Sequence, residues 1–178
     1  MTNYRRARVA GGTYFFTVNL ALRSGPLLVD HVQLLRTAVR DVRVRHSFIV
    51  DAMFVLPDHL HSIFTLPPGD SDFALRWRLI KSAFSRRAPP GELRTISHQA
   101  KGERGIWQRR YWEHLIRSEA DLNSHIDYIH MNPVRHGYVS RVADWPHSSF
   151  HRYVKAGTLA ADWAGDTKAE YGSHGEPE

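Results

Sequence analysis

The chain of 178 residues contains no cysteine. This absence excludes disulfide bonds and thiolate metal ligands, and it is compatible with a reducing cytoplasm. Long apolar runs are also missing, and no stretch approaches the roughly 18 consecutive apolar residues that span a bilayer. The N-terminal arm, residues 1–12, carries arginines but lacks the apolar segment of a signal peptide. We therefore expect a single-domain cytoplasmic protein that does not bind a membrane.

Lysine is scarce, although the chain is basic. Of the 24 basic residues four are lysine and 20 are arginine, and the net charge is +6. Arginine suits bidentate contact with phosphate and stacking on bases, so this composition favours a nucleic-acid partner over a merely basic soluble protein. Candidate phosphate contacts are Arg5, Arg6, Arg8, Arg78 and Lys81.

Hydrophobic periodicity predicts a mixed set of elements. Period-two alternation predicts strands over residues 13–20, 49–56, 59–66 and 112–116. Helical spacing predicts helices over residues 30–45, 72–87 and 118–132, with Asp30 and Ser118 as N-caps and Pro133 ending the last. Residues 88–105 are predicted to form a loop. In the aromatic tail, Trp145, Phe150 and Tyr153 are candidates either for stacking on bases or for a second small core, and we favour the core for Trp145.

A His-x-His pair occupies the predicted strand 59–66, directly after the turn Pro57-Asp58. Alternation places His59, His61 and Ile63 on one face, while Leu60 and its period-two partners face the opposite side. Two imidazoles on one side of a rigid strand can hold a divalent cation. The alternative is an ordinary polar face of a sheet.

A tyrosine and an asparagine share one face of the last predicted helix. Tyr128 and Asn132 are four residues apart, and His125 lies on the same face. This face differs from the apolar face of Leu122, Ile126 and Ile129. A tyrosine on such a polar helix face is, by itself, more typical of a surface or half-buried residue than of a nucleophile.

Together these motifs resemble the REP-associated tyrosine transposases, which belong to the HUH single-tyrosine nuclease superfamily. The similarity runs through nearly the whole chain, and residues 88–105 match least. The matching segments are Tyr4-Arg5-Arg6, Gly11-Gly12-Thr13-Tyr14-Phe15-Phe16-Thr17-Val18-Asn19-Leu20, Leu56-Pro57-Asp58-His59-Leu60-His61, Trp107-Gln108, Trp112-Glu113-His114, Tyr128-Ile129-His130-Met131-Asn132-Pro133-Val134-Arg135-His136-Gly137 and Asp144-Trp145-Pro146.

The resemblance implies a metal-dependent nuclease. His59, His61 and Asn132 would bind Mg²⁺ or Mn²⁺, and imidazole ligands suit Mn²⁺ better. Tyr128 would attack a phosphodiester of single-stranded DNA, giving a 5′-phosphotyrosine and a free 3′-hydroxyl that can reverse the step. His125 or His130 is a candidate helper base. Such cleavage and rejoining would serve DNA transposition and recombination.

The resemblance also implies an α+β, ferredoxin-like fold with an antiparallel sheet of about four strands and packed helices. Residues 1–139 would form the transposase domain, and residues 140–178 a tail packed on or near the active site with a loose end. The expected partner is hairpin DNA of repetitive extragenic palindromes with a single-stranded foot. The expected state is a monomer associated with the bacterial nucleoid.

Three other interpretations remain open. A non-catalytic protein derived from a transposase would bind hairpins without cutting them. A plasmid relaxase or replication initiator would share the HUH motif, but a short chain without a helicase domain argues against a full-length version of such an enzyme. The third is a metal-dependent hydrolase that uses the histidine pair alone. The sequence disfavours it because no cluster of carboxylates lies near the pair.

Overall fold

The structure, a computed structural model, describes residues 7–23, 25–90 and 94–165. A four-stranded antiparallel sheet has the order β2-β3-β1-β4, with strands β1 (Thr13–Asn19), β2 (Ile49–Val55), β3 (His59–Thr65) and β4 (Trp112–Leu115). The helices are α1 (Leu27–Asp30), α2 (Val32–Arg45), α3 (Phe73–Arg87), α4 (Ile96–Ala100), α5 (Glu119–Arg135) and α6 (Phe150–Lys155), with a 3₁₀ turn at Val142–Asp144. The connectivity through β1, α2, β2, β3, α3 and β4 is ferredoxin-like, which confirms the predicted α+β class.

The sheet separates two apolar layers. On one face, alternate residues of the central strands, including Phe16 and Phe64, pack with α2 and α3. The Trp77 ring of α3 stacks on Phe64 at a centroid distance of 4.9 Å. On the other face, Phe15 and Ile63 pack with α5. The alternation predicted for β1 and β3 therefore separates the α2–α3 layer from the α5 layer.

Strand β2 departs from simple alternation. Its pairing with β3 shifts between Val50 and Ala52, so an extra residue interrupts the ladder. Val50 packs in the α2–α3 layer, whereas Ala52 and Phe54 pack in the α5 layer. Strict alternation over the predicted strand 49–56 would place Val50 on the same face as Ala52, and this expectation was wrong because the bulge reverses the side-chain direction.

The helices differ from the prediction at Asp30 and within residues 88–105, whereas the start of α5 is as predicted. Asp30 is the last residue of α1 and His31 is the N-cap of α2, so Asp30 does not cap that helix. Helix α4 lies within residues predicted to form a loop. Ser118 caps α5 as predicted, because its side chain accepts the Asp121 N–H at 3.1 Å.

Helix α5 continues past Pro133 to Arg135. Proline disfavours helical geometry in the preceding residue, which is why we expected an end there. The helix ends instead in a Schellman motif, with Gly137 N–H bound to Val134 O and Tyr138 N–H bound to Pro133 O. Gly137 has a φ of 72°, which a residue without Cβ adopts at little cost. Gly137, and not Pro133, therefore terminates the helix.

Residues 140–165 pack along β2 and α5. The Trp145 indole donates to Val55 O at 3.0 Å, and the Tyr153 hydroxyl donates to Asp51 O at 3.0 Å. Phe150 is buried with Met131 and Val142 in a small third cluster. The core assignment of Trp145 is confirmed, and stacking of Phe150 on bases is excluded by its burial. The predicted loose end, residues 166–178, lies outside the described residues.

Among the described residues, none of the helices combines the length and the apolarity that crossing a bilayer requires.

His130 connects α5 to the tail formed by residues 140–165. Its Nε2 lies 3.1 Å from Ser149 Oγ, and its ring packs against Phe150 and Tyr153. Burial, together with the positive charges of Arg152 and His151, lowers the pKa of His130 from 6.5 to about 4. The native protein therefore holds this imidazole neutral at neutral pH.

We predict that acidification weakens the fold through His130. Between pH 6.5 and about 4 the unfolded chain binds a proton that native His130 does not, so the free energy of unfolding falls as the pH falls. The contribution is about 3 kcal/mol, following the size of the shift. Urea denaturation at pH 7 and pH 4.5 should show a smaller decrease for His130→Gln than for the wild type. His46→Gln is the control, and an unchanged decrease in His130→Gln would contradict the prediction.

Candidate active site

Helix α5 lies across the face of the sheet that carries the histidine pair. The Tyr128 ring meets the His61 ring edge to face, with centroids 5.3 Å apart and an interplanar angle of 73°. Tyr128 also contacts Phe15 of β1 and is only 2% exposed. The structure thus brings together the two segments singled out from the sequence. Tyr128 is more buried than the surface or half-buried position that is typical of a tyrosine on a polar helix face, because it belongs to the apolar cluster of this layer.

His59 is held by a carboxylate that is itself held by an arginine. The His59 Nδ1 lies 2.7 Å from Asp58 Oδ1, and the Arg23 Nε donates to Asp58 Oδ2 at 2.6 Å. Burial alone would raise the pKa of Asp58, but the hydrogen bonds from His59 and Arg23 outweigh it and lower the pKa to about 2. Because an ionised carboxylate only accepts, the proton belongs on Nδ1. The Nε2 of neutral His59 is then a lone-pair donor.

His61 has a comparable backing from β1. Its Nδ1 lies 2.8 Å from the Thr17 hydroxyl, and Thr17 is its partner in the β1–β3 register. The ring is fully buried and stacks on Phe15. In the tautomer in which Nδ1–H donates to Thr17, the Nε2 of His61 carries the lone pair that a metal ligand needs.

The arrangement fits a divalent cation. Metal-binding histidines usually donate their second N–H to a carboxylate, carbonyl or hydroxyl, which orients the ring and fixes the tautomer. The buried Nε2 of His59 has no hydrogen-bond partner within the described part of the chain. The two rings are 5.2 Å apart and nearly perpendicular, at 83°. Asn132 is buried one helical turn after Tyr128, where an amide oxygen could add a third ligand.

The two candidate helper bases have different surroundings. His130 belongs to the tail contact, about 200° around the helix from Tyr128. His125 lies on the Tyr128 side, where it packs on Phe15 at 4.8 Å. Burial is the main cause that lowers the pKa of His125. The geometry therefore favours His125 over His130 as a neighbour of the site.

The predicted phosphate contacts are spread over the molecule. Arg8 and Arg78 are exposed, whereas Arg5 and Arg6 lie outside the described residues. Lys81 donates to Gln108 O at 2.9 Å and lies 5.0 Å above the Tyr111 ring. Arg78 and Lys81 belong to α3, on the opposite face of the sheet from Tyr128. A DNA contacting both regions must therefore pass around the edge of the sheet.

Sequence reasoning missed four residues around the site. Asp58 was interpreted only as a turn residue, and the contacts of Thr17 and Arg23 depend on strand register and loop packing. Arg135 was missed although it lies seven residues after Tyr128, a helical spacing that returns to the same face. Its guanidinium carbon lies 5.5 Å from the Tyr128 ring centroid. The positively charged guanidinium of Arg135, next to the Tyr128 phenol, is suited to contact a phosphate.

A separate group of potential ligands joins β4 to the start of α5. One atom each of His114, Asp121 and His125 lies within 4.8 Å of the others. None of these residues belongs to the predicted set of His59, His61 and Asn132.

Two known proteins resemble the chain along most of their length. It is 48% identical over 166 residues to the REP-associated tyrosine transposase of Escherichia coli (strain K12), covering 93% of each chain. It is 46% identical over 168 residues to the putative REP-associated tyrosine transposase of Haemophilus influenzae (strain ATCC 51907 / DSM 11121 / KW20 / Rd), covering 93% of this chain and 95% of the relative. No protein-family model matches the chain.

A solved structure shares the whole fold. It shows a REP-associated tyrosine transposase bound to a REP hairpin, with a TM-score of 0.85 and 46% identity over 100% of this chain and 99% of that one. Such identity over nearly full length, on the same fold, shows common descent. The chain belongs to the REP-associated tyrosine transposases.

Proposed function

We propose that this transposase is a metal-dependent endonuclease and strand transferase that cuts single-stranded DNA next to REP hairpins through a 5′-phosphotyrosine at Tyr128. The observation that carries the proposal is the contact of the Tyr128 ring with the ring of His61. The solved relative bound to a REP hairpin supports this class of DNA.

His59, His61 and Asn132 would hold the cation, which is Mg²⁺ or Mn²⁺. A bound divalent cation would polarise the scissile phosphodiester and stabilise the charge that develops on its oxygens. Asp58 orients the His59 imidazole by accepting its Nδ1 proton, and the hydrogen bond between the Thr17 hydroxyl and Nδ1 orients the His61 imidazole. Two nitrogen ligands suit Mn²⁺ better than Mg²⁺, so Mn²⁺ should support activity at least as well.

Tyr128 provides the nucleophile. Its phenolic oxygen forms a bond to phosphorus as the bond from phosphorus to the 3′ oxygen breaks. The phenol loses its proton and the departing 3′ oxygen gains one. The reverse attack by a 3′-hydroxyl releases Tyr128 and rejoins a strand. Arg135, beside the phenol, would contact the phosphate and balance its charge.

A single chain contains both halves of this site. His61 and Tyr128 of the same molecule are in contact, so catalysis in cis requires no second copy, and we propose action as a monomer. Residues 1–139 carry the proposed catalytic set, and residues 140–165 brace α5 through Phe150 and the His130–Ser149 contact. The proposed place of action is the nucleoid in the bacterial cytoplasm, where its DNA target lies.

The first prediction concerns the nucleophile. Tyr128→Phe should abolish cleavage of a labelled REP-hairpin oligonucleotide and the covalent adduct, because the attacking oxygen is removed. Hairpin binding should persist, because the ring remains. The measurement is denaturing electrophoresis of protein and DNA in the presence of Mn²⁺ or Mg²⁺, alongside a binding assay. Tyr138→Phe, an exposed tyrosine beyond the end of α5, is the control and should cleave normally. Adduct formation by Tyr128→Phe would assign the nucleophile elsewhere.

The second prediction concerns the carboxylate behind His59. Asp58→Asn should weaken the apparent affinity for Mn²⁺ by about 10- to 100-fold, because an amide no longer fixes the tautomer of His59. Cleavage measured over a Mn²⁺ titration gives this affinity, and excess Mn²⁺ should restore part of the rate. Asp144→Asn removes a carboxylate from an exposed pair with Arg141 and serves as the matched control. An unchanged Mn²⁺ dependence in Asp58→Asn would contradict the orienting role.

The third prediction concerns phosphate contacts. Arg78→Ala and Arg135→Ala should each weaken hairpin binding and reduce the slope of log affinity against log salt by about 0.7–0.9, the value of one phosphate contact. Arg45→Ala, at the exposed end of α2, is the control. A salt slope equal to that of the wild type would show that the substituted arginine does not contact a phosphate of the DNA. Such a result for Arg78 alone would confine the DNA to the α5 side of the sheet.

A non-catalytic hairpin-binding protein is the second candidate. The 2% exposure of Tyr128 favours it, because a nucleophile must become accessible to DNA before it can react. The Tyr128→Phe comparison separates the two functions, since a protein that only binds forms no adduct in either form.

A further inference from the structure

We propose that His114, Asp121 and His125 form a second cation site, which takes a transition metal such as Zn²⁺ or Co²⁺ and anchors the start of α5 to β4. The site shares no residue with the proposed metal ligands His59, His61 and Asn132 or with the proposed nucleophile Tyr128. His114 comes from β4, and Asp121 and His125 lie on successive turns of α5.

The donor atoms already converge on one carboxylate. His114 Nε2 lies 2.9 Å from Asp121 Oδ2, and His125 Nδ1 lies 3.0 Å from Asp121 Oδ1. Metal–ligand bonds of about 2.0–2.2 Å place neighbouring ligands roughly 3.0–3.5 Å apart. The nitrogen–oxygen separations are therefore close to those of one coordination shell. All three donors lie within 4.8 Å of one another.

One ring must turn before both imidazoles bind the same ion. The His114 and His125 rings are stacked, with centroids 4.7 Å apart and an angle of 14°, so their nitrogen lone pairs lie in nearly parallel planes and do not converge on one point between the rings. His114 has a side chain 31% exposed, which leaves it room to rotate towards Asp121. His125 would exchange its 2.8 Å hydrogen bond to Asp121 O for the ion.

The charge states favour a cation. Burial raises the pKa of Asp121, but the hydrogen bond from His114 and the Arg117 N–H lower it overall, so the carboxylate is ionised at neutral pH. The pKa of His125 is lowered, chiefly by burial, so its imidazole is neutral and can bind a metal without first losing a proton.

The ligand set selects the class of ion. Two imidazoles and one carboxylate suit Zn²⁺ and Co²⁺ better than Mg²⁺, which prefers oxygen. The partial exposure of His114 and Asp121 leaves further positions to water. His125 packs on Phe15, which also contacts His61 and Tyr128. An ion here would restrain the same layer that contains the proposed nucleophile.

Metal stoichiometry of the full chain tests this site. Co²⁺ is titrated by calorimetry into metal-free wild type, His59→Ala/His61→Ala, His114→Ala and the triple variant. We expect the wild type to bind two ions, and His59→Ala/His61→Ala and His114→Ala to bind one ion each. The triple variant, which combines all three substitutions, should bind none. Zn²⁺ should raise the melting temperature of His59→Ala/His61→Ala and leave that of the triple variant unchanged.

Controls separate ligation from folding and from catalysis. Circular dichroism establishes that each variant is folded. If His114→Ala does not fold, Asp121→Asn is used in its place. His151→Ala removes an exposed histidine outside both sites and should keep two ions. A His59→Ala/His61→Ala protein that binds no Co²⁺, or that binds it equally after His114→Ala, overturns the second site. Because the readout is binding, loss of the Tyr128 adduct would refute the proposed nuclease and leave this result intact.

Discussion

The edge-to-face contact between Tyr128 and His61 is the interaction on which the candidate active site depends. It requires β3 to turn both histidines towards α5, and it requires α5 to present Tyr128 inward. Strand alternation supplies the first condition, since Leu60 and Phe64 are anchored in the α2–α3 layer. Burial of Tyr128 with Ile129 and Phe15 supplies the second. The proposed nucleophile is therefore positioned by the same packing that stabilises this half of the protein.

The histidines are oriented by groups that carry no chemistry of their own. Arg23 holds Asp58, Asp58 holds His59, and Thr17 holds His61. These contacts join the loop after β1, the turn before β3 and the central strand β1. Ionised Asp58 keeps a proton on Nδ1 of His59, so the opposite nitrogen carries the lone pair that the proposed cation would need. Pre-organisation of this kind lets a cation bind without the cost of ordering two side chains.

Helix α5 is restrained along its length, which suits a helix that carries a proposed nucleophile. Its first turn is capped by Ser118 and connected to β4 through Asp121 and His114. Its last turn closes in the Schellman motif at Gly137. The tail adds the contact of His130 with Ser149, which also accepts the Met53 N–H of β2 at 3.0 Å. Strand β2 at the edge of the sheet is thereby covered, and α5 is joined to it.

Local pattern determined much of this protein. Alternation identified the four strands and assigned opposite faces to His59 and Leu60, while helical spacing placed Tyr128 and Asn132 on one face, because these periods follow from backbone geometry alone. Local rules failed where tertiary contacts outweighed them. The bulge turned Val50 away from Ala52, and α5 continued through Pro133 to the glycine that ends it. Tertiary structure alone decided that Tyr128 is buried against His61, that Thr17 and Asp58 back the imidazoles, and that His114 meets Asp121 and His125. Those contacts join residues far apart in the chain or on different elements, and their register and packing depend on the whole core.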